Sequence, residues 1–417
     1  MAKLRRVVIT GMGVITPLGL TVADFWEKLC QGQSGVRRVS RFDVSEYPAK
    51  VMGEVVDFDP ENYFERREAR RMALFTQYGC AALKQAMEDA GIDMACEDAS
   101  RVGVEIGSAI GGIIPIVEQA TVFREKGWRH VNPAFLPSIL TSTAACHAAV
   151  LFGFKGPTMS PVAACATGNA AIGDAMRRIQ HGDADVMLAG GTEAVELPLA
   201  FAIFGRLGAL SSGHEDNPPK AIRPFDKNRD GTVMSDGAAV VVLEEWEHAM
   251  RRDAPILAEI VGYALTEDAY HLVAPDPTGD GAARAMRAAI ADAGMSPDEI
   301  DLIIPHGTGT PLNDVSETLA IKAVFGEQAY RIPVSANKSM LGHMLGAAGA
   351  ISTVAAVLSM RDNIIPPTIN LETPDPECDL DYVPKVARKT RVDAVLINGF
   401  GFGGQNATLV MRRVDGV

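Results

Sequence analysis

Apolar runs of strand length alternate with helix-length amphipathic stretches along the whole chain. Apolar runs predict strands at 7–10, 102–108, 186–189 and 238–243, and amphipathic spacing predicts helices at 22–31 and 245–252. One long helix is expected over 66–90, ended by Gly91, and another follows Cys165. A second series repeats the alternation: strands at 256–265 and 300–304, helices at 280–293 and 316–325, a short strand opening at Val334, and a helix at 343–358. Strands at 395–398 and 407–412 flank a final glycine loop. Regular alternation implies an α/β protein with largely parallel, buried sheets. The two series divide near Arg252-Asp-Ala-Pro255, giving halves 1–254 and 255–417, and no Pro/Gly/Ser linker separates them, so one body is expected.

Composition narrows the function classes. The chain is 47% hydrophobic and 22% charged, as a globular protein is, and its net charge of −13 argues against a nucleic-acid partner. Six cysteines without CxxC spacing suit a reducing cytoplasm and no zinc site. Two stretches imitate membrane signals. Lys3-Leu-Arg-Arg6 precedes an apolar run, but Gly11-Met-Gly13 and Pro17 interrupt it and no cleavage site follows. Residues 131–154 lack Asp, Glu, Lys and Arg, but Pro133, Pro137 and several hydroxyls make a poor span, so a buried interface segment is expected.

Candidate chemistry centres on Cys165, in Thr158-Met-Ser-Pro-Val-Ala-Ala-Cys-Ala-Thr-Gly-Asn-Ala-Ala-Ile-Gly173. The stretch reads as a buried strand, a tight bend and a helix whose first turn holds the thiol, where unpaired N–H groups and the helix dipole favour thiolate. Taken alone, the same residue could be a small cysteine filling a core gap. His306, in Pro305-His-Gly-Thr-Gly-Thr-Pro311, follows a strand, and His343 lies in Lys338-Ser-Met-Leu-Gly-His-Met-Leu-Gly-Ala-Ala-Gly349. Strand-end loops are where α/β scaffolds place working side chains, although either histidine could be structural. Asn398-Gly-Phe-Gly-Phe-Gly-Gly-Gln-Asn406 can bring backbone N–H groups close to a ligand. Its Gly399-x-Gly401-x-x-Gly404 leads into a strand, not the helix a dinucleotide site needs. Asp226-x-Asn228-x-Asp230-Gly231 lacks the bidentate glutamate of a calcium loop. Neither a nucleotide cofactor nor a metal is expected.

In this order, Cys165, His306, Lys338, His343 and the closing glycine-phenylalanine loop resemble the β-ketoacyl-[acyl-carrier-protein] synthases of the elongating type, most closely the synthase II branch. The resemblance spans nearly the whole length. It includes Val8-Ile-Thr-Gly-Met-Gly13, Gly182-Asp-Ala-Asp185, Ala189-Gly-Gly-Thr-Glu193, Arg223-Pro-Phe-Asp226, Pro366-Pro-Thr-Ile-Asn370 and Pro374-Asp-Pro-Glu-Cys-Asp-Leu-Asp-Tyr-Val383. It implies a thiolase-like fold, a five-layer αβαβα body of two similar halves, working as a cytoplasmic homodimer. Cys165 would take the acyl chain from acyl-carrier protein, and His306 and His343 would assist loss of carbon dioxide from malonyl-carrier protein. The N–H groups of Cys165 and Phe402 would hold the oxyanion, and Phe402 would gate the site. The resemblance further makes Lys338 and Glu317 supporting residues and Thr308 and Thr310 contacts for the phosphopantetheine arm. Ile110 and Phe135 would line the acyl tunnel, and Arg67, Arg70 and Arg71 would dock the carrier, unless they are simply a solvated face.

The chain departs from the family pattern at Ala163, Thr167, Ile304, Pro305, Asn337 and Leu341, and Ser352 stands where a glutamate is usual, leaving Lys338 to rely on Glu317 or another partner. A ketosynthase of a specialised polyketide or polyene pathway, with a chain-length partner subunit, is therefore the competing reading. A degradative thiolase would need a second cysteine in Asn398–Asn406, which has none, and the initiating synthases pair Cys and His with Asn rather than a second His. A non-catalytic partner subunit would lack the nucleophile.

Overall fold

The first strand, β1 (Val7–Ile15), runs through Gly11-Met-Gly13 with all nine residues buried and a bulge between Ile9 and Gly11. Glycine prolongs the strand here instead of ending it. A Cβ at Gly13 would sit 2.0 Å from the Ala82 carbonyl oxygen of the helix packed on it, α1 (Leu74–Ala90). The computed structural model describes residues 4–414, so Lys3 of the basic start lies outside the described residues.

Nine strands form the main sheet: β1, β2 (Val102–Gly107), β3 (Thr158–Met159), β4 (Val186–Glu193), β5 (Gly237–Glu245), β6 (Ala258–Glu267), β7 (Leu302–Ile304), β8 (Ala394–Phe400) and β9 (Gln405–Arg412). Their order is β3-β2-β4-β5-β1-β6-β9-β8-β7. The two halves of that order mirror each other. Parallel pairing of β3-β2-β4 and antiparallel pairing of β4-β5-β1 recur as the Val334 bridge with β7-β8 and as β8-β9-β6. The halves meet where Val7, Val8 and Ile9 pair with Ile260, Glu259 and Ala258. The sheet is therefore mixed, not largely parallel, because β5 and β9 each turn back along a neighbour; β9 does so through the short loop 401–404.

Two helices, α3 (Thr167–His181) and α6 (Ala348–Asp362), pack against strands of both halves and form the middle layer. Residues 348–360 are buried without a break, as a helix apolar or small on all sides must be. α1 and α2 (Thr143–Phe152) cover one outer face, and α4 (Asp280–Asp292) with α5 (Pro311–Phe325) covers the other, completing five αβαβα layers.

Two further expectations are corrected. The long helix over 66–90 is broken into Arg66–Ala69 and α1, and the Gln77 side chain caps the freed Ala69 and Met72 carbonyls (2.9 and 3.3 Å). The strand ahead of Cys165 is a two-residue edge, with Met159 53% exposed. In residues 131–154, Leu136, Leu140 and Val150 face outward, so one chain does not bury this segment. Among the described residues, no helix is long and apolar enough to cross a membrane.

One clip in the fold titrates. His248 lies between Glu244 (Nδ1 to Oε1, 2.5 Å) and Glu97 (Nε2 to Oε2, 3.1 Å), with Arg252 on the same Glu244. The hydrogen bond to Glu244 raises the His248 pKa, against burial. A raised folded-state pKa contributes stability that is complete below the ordinary histidine value and lost as pH rises through the folded value. His248→Ala should therefore destabilise the protein by about 1 kcal/mol or less near pH 6, since the pair is only partly buried. The gap to wild type in thermal melts should narrow as pH rises above the ordinary histidine value and the imidazole loses its proton in both states.

Candidate active site

The two central helices begin alike. A one-turn 3-10 segment precedes each, Ala164–Ala166 before α3 and Leu345–Ala347 before α6. Each segment opens on a non-glycine residue at positive φ: Ala164 at 45° and Leu345 at 44°. Such backbone is strained and persists only where the surroundings hold it. Thr167 helps by accepting the Ala163 N–H on its hydroxyl (2.8 Å). Cys165 thus sits in the turn before α3 rather than in the helix proper, and His343 lies ahead of α6 in an extended segment bridged to Met234.

A cavity of about 390 Å³ is lined by Cys165, His306, His343, Thr308, Thr310 and Phe402 together. His306 leaves the end of β7, and its N–H and that of Gly307 both donate to the Glu317 carboxylate (2.8 Å each). Asn398 Nδ2 donates to the same carboxylate (3.1 Å), and its Oδ1 accepts from Thr408 (3.0 Å). His343 is held through its backbone, donating to Val233 O (2.6 Å) and accepting from Ser235 N (3.0 Å). The two imidazoles are 5.3 Å apart and nearly perpendicular. Neither ring nitrogen of His343, nor Nδ1 of His306, has a partner among the described residues. Buried polar atoms are normally paired, so these nitrogens are available to a ligand.

The loop carrying Phe402 closes over Cys165. A Cβ at Gly401 would lie 2.5 Å from the Ala163 carbonyl oxygen, so only glycine allows this approach. The Phe402 N–H lies close enough to the Cys165 sulfur to oppose a rise in its pKa, and the Phe402 ring stacks on Phe204 (6.2 Å). Thr308 and Thr310 share a hydrogen bond of 3.0 Å on the cavity wall.

Electrostatics correct one expectation. Burial pushes the Cys165 thiol up to about 12; the Lys338 ammonium and the Phe402 N–H oppose that shift without overcoming it. Desolvation penalises the charged form more than these neighbours favour it, so the resting thiol keeps its proton. Burial also drives both histidines well below the ordinary value, with Lys338 acting the same way, so both imidazoles are neutral. Burial pushes Lys338 down and Glu317 up, and the Glu317 carboxylate is the strongest charge pulling Lys338 back. Ser352, in place of a carboxylate, accepts from Asn337 Nδ2 (3.2 Å).

The remaining candidates lie elsewhere. Ile110 packs in the apolar cluster that includes Cys165, outside the open cavity. Phe135 stands on the short helix Phe135–Ile139, and one chain does not bring it to the cavity. Arg67, Arg70 and Arg71 are exposed and make no ion pair within 4 Å among the described residues. Residue by residue, the sequence assigns no role to Asn398, Asp314 or Glu193. Asp314 accepts from Gly309 N (3.2 Å) and Phe225 N (2.8 Å), and so shapes the threonine loop. A lone acid closing an apolar strand, as Glu193 does, was the available signal.

Residues 4–249 match the family model for the beta-ketoacyl synthase N-terminal domain, and residues 257–372 match that for its C-terminal domain. The 3-oxoacyl-[acyl-carrier-protein] synthase 2 of Coxiella burnetii is 48% identical over 98% of this chain and 99% of its own length. The protein of that name from Synechocystis is 47% identical over 98% of each. A solved structure, described as a type II PKS acyl-carrier protein in complex with its ketosynthase, aligns with a TM-score of 0.91 at 37% identity, covering 99% of this chain and 100% of that one.

Proposed function

The chain belongs to the beta-ketoacyl synthase family, and we propose that it lengthens acyl chains in fatty-acid synthesis by decarboxylating condensation with malonyl-acyl-carrier protein. The observation that carries this reading is a buried thiol sharing one cavity with two neutral imidazoles, whose free ring nitrogens await a partner, and an inward-facing amide.

In the first half-reaction the Cys165 sulfur attacks the acyl thioester, and its proton ends on the departing carrier thiol. In the second, the malonyl carboxylate leaves as carbon dioxide, and its electron pair becomes an enolate. His306 and His343 donate hydrogen bonds to the enolate oxygen. The carbanion carbon then attacks the Cys165 thioester, whose oxyanion is held by the N–H groups of Cys165 and Phe402. Collapse releases 3-oxoacyl-carrier protein and a Cys165 thiolate that takes up a proton. Each preorganised donor aimed at developing charge contributes roughly 3 kcal/mol. Loss of carbon dioxide supplies the carbanion, so the reaction balances without metal or bound cofactor.

Thr308 and Thr310 contact the phosphopantetheine arm, and Arg67, Arg70 and Arg71 meet the acidic carrier. A second copy pairs along the β3 edge and the 131–154 segment. The outward Leu136, Val150 and Met159 support this, as does the unpaired edge. Across such an interface Phe135 reaches the partner's acyl tunnel, opposite Ile110. We place the enzyme in the cytoplasm, where its six free thiols stay reduced.

Mixing the protein with acyl-carrier proteins of four to sixteen carbons, then malonyl-carrier protein, tests the reading by intact-mass spectrometry. Acyl adducts on Cys165 that convert to 3-oxoacyl-carrier protein are expected; no adduct with any chain would sink it. Because both histidine pKa values are depressed, the neutral form extends below the usual range. Single-turnover condensation should therefore stay level from about pH 7 to about pH 6, where an ordinary histidine of pKa about 6.5 would titrate.

A further inference from the structure

We infer that Glu193 is a positioning residue that ties the acyl-pocket turn bearing Ile110 to the turn that follows His343; this rests on the condensing reading above. Glu193 ends β4 and is fully buried. Its Oε1 accepts from Ser108 Oγ (2.7 Å) and Ile110 N (3.2 Å), and its Oε2 from Ala109 N (2.8 Å) and Gly346 N (2.9 Å). Ser108 Oγ in turn accepts from Gly111 N (2.9 Å), so its own proton goes to Glu193. Both oxygens face only donors, which favours the ionised, acceptor-only carboxylate against the burial that raises its pKa.

Three donors belong to the turn after β2, and the fourth lies in the 3-10 turn ahead of α6, three residues beyond His343. A buried carboxylate is an expensive way to fill space. What it does that an apolar side chain cannot is fix four donors from two separate turns at once. Its charge also lies close enough to Cys165 to push that thiol up, which places both turns at the nucleophile. A glutamine would set an NH2 where two of the four donors bond and so weaken the tie between the turns. An aspartate, shorter by a methylene, would reach only one.

The test compares Glu193→Gln and Glu193→Asp with wild type. Both variants should melt lower. Per folded molecule, kcat for condensation should fall about 10- to 100-fold with KM for malonyl-carrier protein within about twofold, because misplacing a reacting group by an ångström costs about 100-fold. The range of chain lengths loaded on Cys165 should widen. Unchanged kcat and chain-length range would overturn the inference. Should neither variant fold, Ser108→Ala removes one donor and should lower kcat about fivefold, the worth of one net hydrogen bond.

A second readout needs no turnover. In histidine-labelled protein the His343 ring resonances should move, and the Ile110 and Gly346 amides should exchange faster. Unmoved resonances and exchange overturn the positioning role whatever the substrate. Moved resonances in an enzyme whose wild type makes no 3-oxoacyl product keep that role and discard the condensing reading.

Discussion

Cys165→Ala should abolish acyl loading while leaving the fold in place. Cys165 is 6% exposed and belongs to an apolar cluster with Val195, Phe201, Met234 and Leu345. Removing the sulfur leaves the Cβ methyl and takes away little volume, so stability should fall by about 1 kcal/mol at most. The strained turn survives because Ala164, Thr167 and the Gly401 approach hold it, and none of them uses the sulfur. Without the sulfur no thioester can form, and condensation should drop by about 10⁴-fold or more, the order seen when a covalent nucleophile is removed. Intact-mass spectrometry should then find no acyl adduct for any chain length, alongside an unchanged circular-dichroism spectrum. Adducts persisting on the variant would mean that one of the other five thiols carries the chain.

His343→Ala separates the two half-reactions. Loading of Cys165 develops charge at the sulfur and at the oxyanion beside Phe402, which His343 need not touch. Decarboxylation develops charge on the malonyl thioester oxygen, where the neutral imidazoles are the available donors. Losing one such donor from a dry site costs about 10²- to 10³-fold. Acyl-Cys165 should therefore form at a near-normal rate and then accumulate, while carbon dioxide release and 3-oxoacyl product fall together by that factor. Rapid-quench mass spectrometry of the adduct with labelled malonyl-carrier protein measures both. His343→Asn, which keeps an N–H donor, should recover part of the loss. Equal loss of loading and condensation would instead mean that His343 organises the whole cavity, for instance through the Val233 and Ser235 backbone bonds it anchors.

Much of this is legible in the chain itself. Strand and helix alternation follows from which residues are apolar at period 2 or 3.6, and a helix such as α6, small or apolar on every face, can only lie inside. The motifs around Cys165, His306, His343 and Phe402, through their family resemblance, single out the candidate groups, and the cavity holds all four. Where local reasoning errs, tertiary contacts override local rules. Gly11 and Gly13, breakers on their own, prolong β1 because α1 packs where their side chains would be. His343 leaves the helical pattern because its backbone is claimed by the Val233–Ser235 segment.

What the chain order determined, then, is which side chains are candidates for the chemistry and in which α/β repeat they lie, since residue type and hydrophobic period are local properties. Only the tertiary structure decided how those groups behave. The helix terminus suggested a thiolate at Cys165, yet full desolvation keeps the proton on. The same burial neutralises both histidines. Glu193 acquires its place only when residues 108–110 and 346 converge on it. Desolvation and hydrogen bonds depend on distance in space, and no spacing along the chain encodes that distance.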